Sequence, residues 1–186
     1  MSNLGHRAVR IIKAGADQAI ALDRTESRFL VESELILNLS GGRLGYEVVA
    51  VAPYEKVYPP SEAVGDSTTP GVSFLAHRGS RIVGRIELSR HWNEFACVNH
   101  LAVEPAFRRS GIGFALVQQA IEWSQAEALA GVMLETQNNN VAACKLYERC
   151  GFRLSGFDQD LYRGRDFDTR EVALFWYWQP PPRPAA

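Results

Sequence analysis

Residues 98–113 read Val98-Asn99-His100-Leu101-Ala102-Val103-Glu104-Pro105-Ala106-Phe107-Arg108-Arg109-Ser110-Gly111-Ile112-Gly113, and how this stretch folds decides the architecture. Leu101 to Val103 form an apolar run that predicts a buried strand, and Pro105 ends it. A basic turn with two glycines then opens into an amphipathic helix. Strand, glycine turn and helix start together aim backbone N–H groups at an anion, and the helix dipole adds partial positive charge. Gly111 and Gly113 admit backbone conformations closed to other residues and let a ligand lie against the chain. Arg108 and Arg109 bring full positive charge beside that cradle. The predicted occupant is a pyrophosphate. The plainer alternative is a strand-to-helix turn that needs glycine for geometry alone.

The whole chain limits the remaining classes. Its 186 residues suggest one domain, and 46% apolar content suffices for a core. A formal net charge of −1 argues against a nucleic-acid binder, which would carry a basic excess. No apolar stretch approaches the ~20 residues that span a membrane, and Met1 to Ile12 lacks a signal-peptide core. Cys97, Cys144 and Cys150 are odd in number and without metal spacing, so reduced thiols and a cytoplasmic setting are expected. Four histidines are scattered without a ligand pattern, so no metal is expected.

Outward from the opening stretch, the pattern is an alternation of strands and helices. Val72 to His77 and Arg81 to Leu88 predict a hairpin around Arg78-Gly79-Ser80. Gly84 inside the second run predicts a bulge or a close neighbour. Ala96 to Val103 is the central strand. Gly113 to Leu129 predicts a helix whose buried face is Leu116, Val117, Ala120, Ile121, Ser124 and Ala128. Gly131 to Thr136 is a further buried strand, and a helix over 141–150 stops at Gly151. Phe152 to Gly156 and Val172 to Trp178 predict two closing strands, and Gln179 to Ala186 a proline-rich disordered tail. Upstream, Val9 to Ile12 predicts a strand, Ala14 to Leu22 a helix, Tyr46 to Ala52 a β-run, and 59–71 a polar loop. Phe29 to Leu39 mixes apolar and acidic residues, and no chemistry is legible in this upstream part. The order is that of an α/β fold.

A second motif follows: Asn138-Asn139-Asn140-Val141-Ala142-Ala143-Cys144-Lys145-Leu146-Tyr147-Glu148-Arg149-Cys150-Gly151-Phe152. It resembles the N-x-x-A-x-x-L-Y-x-x-x-G-F signature of the GNAT family of N-acetyltransferases. Arg108 to Gly113 resembles the same family's R/Q-x-x-G-x-G/A turn. The resemblance covers roughly residues 71–178 and implies one GNAT domain over 1–178. The implied sheet is mixed and strongly twisted, with six to seven strands, flanked by helices and splayed between the fourth and fifth strands. Acetyl-CoA is the implied co-substrate, held by Arg108, Arg109, Ser110, Gly111, Ile112 and Gly113, by the main chain of Leu101, Ala102 and Val103, and by Asn140. The implied general acid is Tyr147, whose phenol is protonated at working pH and can return a proton to the departing sulfur. On the residues alone, Tyr147 could instead pack the helix on the sheet, and Asn140 could be only a helix cap.

Transfer to an amine needs that amine neutral, which at pH 7 costs roughly 4–5 kcal/mol for a lysine-like group of pKa ~10.4. Candidate bases or substrate carboxylates are Glu87, Glu94, Glu135, Asp158 and Asp160, each of which could instead be a surface acid. Glu135 stands out because it sits in an apolar run, where a lone carboxylate is costly. Several acids near one site would favour a small cationic amine. Val83 to Leu88, His91-Trp92-Asn93-Glu94, Leu134 to Val141 and Phe175 to Trp178 resemble the streptothricin acetyltransferase branch. Its members acetylate the β-lysine amino group of that antibiotic and so confer resistance. Glu87, Trp92, Glu94, Asn99, Glu135 and Asp158 are then expected to bind substrate. The branch carries a glutamate before the strand-four histidine; this chain carries Asn99, which cannot act as a base, so Glu87, Glu94 or His100 takes over, the substrate differs, or the base is dispensable. The aromatic end of 172–178 could form a homodimer interface or simply pack in the core.

Overall fold

The computed structural model describes residues 9–15, 27–58, 71–164 and 166–181. The expected helix over 14–22, the polar loop over 59–71 and the tail over 179–186 fall largely outside them. In chain order the elements are β1 (Arg10–Lys13), β2 (Ser27–Ser40), β3 (Arg43–Tyr58), β4 (Val72–Arg78), β5 (Arg81–Arg90) and β6 (Ala96–Val103). A 3-10 turn at Pro105–Phe107 leads to α1 (Ile112–Ala126), β7 (Val132–Gln137), α2 (Val141–Arg149), β8 (Arg153–Asp158) and β9 (Ala173–Trp178). Seven strands make one mixed sheet in the order β1-β4-β5-β6-β7-β9-β8, and β2 with β3 forms a separate ribbon. Of the described strands only β6 and β7 run parallel, because α1 carries the chain back between them.

That parallel pair is short. Ala96 to Val98 oppose Val132 to Leu134, after which β6 runs on to Val103 and β7 to Gln137 without pairing each other. The divergence starts where β6 is bulged: Leu88 opposes Val98 and Glu87 opposes His100, leaving Asn99 as the extra residue. This is the splay that the resemblance implied.

Side-chain alternation gives the sheet two unlike faces. Gly84 faces α1, and a Cβ there would meet Ile112 Cγ2 and Leu116 Cδ1 at 3.1 Å each. Register places Val103 opposite Gly84 and Leu101 opposite Ile86, so both share that helix-covered face. Ile86, Leu116, Val117, Leu134 and Trp176 fill the core there, each 1% exposed or less. The other face carries Arg85, Glu87 and Ser89 on β5, His100 on β6 and Glu135 on β7. Gly84 satisfies both expectations, since β4 and β5 slip register beside it, leaving Val83 extra.

One expectation needs correction. Ala128 is exposed beyond the helix at φ +54, because Leu129 N–H closes the last turn onto Ser124 O at 2.8 Å. Leu129, 7% exposed, goes inward in its place. Phe29–Leu39 and Tyr46–Ala52 belong to one ribbon of 14- and 16-residue strands turning at Gly41 and Gly42, both with φ above +50. β9 lies between β7 and β8, so both of its backbone edges are paired within the chain. Among the described residues, no helix is long and apolar enough to cross a membrane.

Candidate active site

The basic turn forms as expected at the mouth of the splay. Gly111 caps α1 in the left-handed region at φ +86, and no side chain caps the first turn, so its N–H groups remain available. Gly113 lets α2 approach: a Cβ there would stand 3.1 Å from Leu146 Cδ2. Ser110 Oγ donates to Phe107 O at 2.5 Å and tightens the turn. Arg109, exposed at φ +63, adds charge to the rim. Arg108 does something the sequence did not disclose. Its Nε donates to Val103 O at 3.2 Å and its Nη1 to Arg28 O at 3.0 Å, bracing the ribbon against the end of β6. Arg78 and Arg81 stack over the Phe107 ring at 5.7 and 5.2 Å, enlarging the basic surface beside the turn. Bare N–H groups, a cradle without side chains and surrounding guanidinium groups suit a pyrophosphate.

Tyr147 lies on the helix-covered side of the gap. It is 6% exposed, with its ring 6.0 Å from Phe152 and 6.4 Å from Trp176. Burial, then the neighbouring Cys144 and Glu135, push its phenol above the ordinary value of 10, so it holds its proton at any physiological pH. Asn140 caps α2, its Oδ1 accepting from Ala143 N–H at 3.3 Å.

The face opposite α1 carries the acids. Glu135 is half-buried on β7 and accepts a short hydrogen bond at Oε1 from Tyr162 Oη. Burial pushes its carboxyl up, the Tyr162 hydrogen bond pulls it down, and nearby Glu171 pushes it up again. Glu87 lies across the ladder from His100, and Arg85, 1% exposed, reaches its Oε1 at 3.3 Å. Beside them a cavity of about 250 Å³ is lined by Ser73, Glu87, Ser89 and Asn99. Asn99 and Ser89 exchange hydrogen bonds of 2.9 and 3.2 Å, which fixes the side chain of the bulged residue.

Other expected site residues are not brought to the gap. Glu94 pairs with Arg90 in the turn before β6, and Trp92 beside it is 86% exposed. Both sit where β6 begins, whereas the gap opens along its far half, roughly 17 Å away at about 3.3 Å per residue from Ala96 to Leu101. Asp158 Oδ1 accepts the N–H groups of Asp160 and Leu161 at 2.8 and 3.1 Å, holding the turn after β8. Asp160 pairs with Arg163 at 3.0 Å on the surface. Sequence reasoning missed Tyr162 and a second cavity of about 200 Å³, lined in part by Glu34, Tyr54, Lys56, Asn139 and Glu171. These residues come from the ribbon, the turn after β7 and the stretch before β9, and no local pattern links such distant segments. Among the described residues no group of three or more His, Cys, Asp or Glu could hold a metal ion.

Comparison with known proteins agrees with this geometry. Residues 45–152 match the model of the acetyltransferase (GNAT) family. Streptothricin acetyltransferase of Escherichia coli is 35% identical over 153 residues, covering 82% of this chain and 86% of that protein. Streptothricin acetyltransferase A of Bacillus subtilis is 37% identical over 58% of this chain and 61% of its own length. A solved Bacillus anthracis structure, described as a candidate streptothricin acetyltransferase in complex with acetyl coenzyme A, superposes with a TM-score of 0.81 at 35% identity. It covers 94% of this chain and 99% of its own. A nourseothricin acetyltransferase superposes over the same shares with a TM-score of 0.78 at 27% identity. A splayed mixed sheet, a glycine cradle at its mouth and these relatives have one reading: the chain belongs to the GNAT family and is an acetyl-CoA-dependent N-acetyltransferase.

Proposed function

We propose that the enzyme acetylates a primary amine of a small cationic substrate, the β-lysine amino group of streptothricin, and thereby confers resistance to that antibiotic. The observation that carries this is the two-faced gap between β6 and β7, with a protonated phenol on one face and half-buried carboxylates on the other. Two streptothricin acetyltransferases at 35% and 37% identity support the choice of substrate.

Acetyl-CoA supplies an acetyl thioester. The α1 start with Arg109 binds its pyrophosphate, and the main chain of Leu101 to Val103, where β6 has left β7, takes the pantetheine amides as an added strand would, apart from Val103 O, which Arg108 holds. The N–H group of Leu101, next to the bulge, polarises the carbonyl. The amine enters from the face opposite α1, where Glu135 anchors it and takes up its proton, with Glu87 and His100 close by. Tyr147 stands on the opposite face and gives its proton to the departing sulfur. Asn99, held by Ser89, carries no charge, so Glu135 supplies the carboxylate that this position lacks.

The test is thiol release from acetyl-CoA with streptothricin, lysine or spermidine as acceptor. Saturable turnover with streptothricin is expected, falling roughly 10²- to 10⁴-fold in Tyr147→Phe with little change in acetyl-CoA affinity. Turnover confined to lysine or spermidine would reject the antibiotic as substrate.

A further inference from the structure

We infer that Tyr162 is a positioning residue for the transfer: its phenol holds the Glu135 carboxylate in one orientation beside the gap. The inference rests on the reading of Glu135 as the group that receives the acceptor amine. Tyr162 Oη donates to Glu135 Oε1 across 27 positions of sequence, which leaves Oε2 as the oxygen for an ammonium. The tyrosine is itself fixed. Asp158 Oδ1 binds the N–H groups of Asp160 and Leu161, Arg163 N–H closes onto Asp160 O at 3.0 Å, and Tyr162 O accepts from Asp166 N–H at 3.1 Å. The turn after β8 thus exists in a form that delivers one hydroxyl to one carboxylate. This also accounts for Asp158, which serves the site through that turn rather than by touching substrate.

The surroundings of Glu135 make this hydroxyl matter. Glu171 before β9, itself paired with Lys56 at 2.7 Å, Cys97 on β6, and Cys144 and Tyr147 across the sheet on α2 interact with it electrostatically. None of the four is a cation, and Lys56 reaches only Glu171. Burial and Glu171 favour the protonated carboxyl, while the Tyr162 hydrogen bond favours the carboxylate. A protonated Glu135 could neither attract an ammonium nor take its proton. Removing the hydroxyl alone should therefore raise the pH at which the site becomes competent, without disturbing the acetyl-CoA cradle on the other face.

The experiment is Tyr162→Phe in the full-length protein, labelled with ¹³C at glutamate carboxyls, with Glu135 titrated by NMR in the absence of substrate. The Glu135 midpoint is expected to rise by roughly one pH unit, and the acidic limb of kcat/KM for streptothricin to move with it. The acceptor KM should rise while acetyl-CoA binding stays unchanged. An unmoved midpoint would overturn the inference, even if the variant melts earlier, since that would leave Tyr162 only a packing role. Should the phenylalanine variant fail to fold, difluorotyrosine at position 162 keeps the shape and strengthens the donor, and the midpoint should then fall. Glu135→Gln separates the two claims: full activity in that variant would reject Glu135 as the amine's partner, while the NMR midpoint still decides whether Tyr162 holds it.

Discussion

Tyr147 and Cys144 project from neighbouring turns of α2 into the same core, and both have lost water. Burial pushes the Cys144 thiol up to about 12 from an ordinary value of 9, and pushes the Tyr147 phenol in the same direction. The folded state keeps these protons after the unfolded chain has released them. Their contribution to stability is therefore intact below pH 9 and is lost as pH rises from 9 toward about 12. Melting temperature should fall through that window, and the fall should be shallower in Cys144→Ala, as calorimetry at stepped pH would show. The same burial makes Tyr147 suited to donating rather than accepting, so ionisation of this phenol should not set the alkaline limb of activity below pH 10.

Glycines decide how closely the elements meet. At Gly131, before β7, φ is +151, and a Cβ would stand 2.1 Å from Trp178 O. Backbone sits on both sides of that contact, so no side chain can swing away. Gly131→Ala should detach the end of β9 from the start of β7 and yield little folded protein, detectable as loss of a cooperative urea transition. Gly111 is different. Its Cβ would meet nothing within 4 Å, so alanine there strains only the left-handed cap, at about 1 kcal/mol or somewhat more. A modest drop in urea midpoint is expected, together with weaker acetyl-CoA binding, because the cap geometry aims the N–H groups.

Across the whole molecule, the β2–β3 ribbon is the part least able to stand alone, since two strands without a third are marginal in water. Val31 and Leu35, each 1% exposed, anchor it. Leu35 N–H donates to Asn138 O at 2.9 Å. Tyr46 bonds Glu148 and takes a 2.6 Å hydrogen bond from Lys145, both on α2. Near the second cavity Lys56 pairs with Glu171 at 2.7 Å, and Asn139 Nδ2 reaches Tyr54 and Glu171 at 3.2 and 2.8 Å. Tyr46→Phe should cost about 1 kcal/mol. Its amide hydrogen exchange should quicken in β2 and β3 while the seven-stranded sheet keeps its protection. Equal acceleration everywhere would show that the ribbon and sheet open as one unit.

What the sequence determined by itself was local: strands by alternation, helices by apolar spacing, and the two motifs flanking the gap. Ala96–Val103 and the glycine turn formed as read because proline, glycine and an apolar run act within a few residues. The tertiary structure alone decided which charges meet. Glu135 and Tyr162 are 27 residues apart, Arg108 and Arg28 are 80, and Tyr46 and Glu148 are 102. It also excluded Glu94 and Trp92 from the gap, although their sequence neighbourhood favoured them, because β6 carries them to its other end. Strand pairing fixes such distances through backbone hydrogen bonds between remote segments, and short-range pattern holds no record of that register.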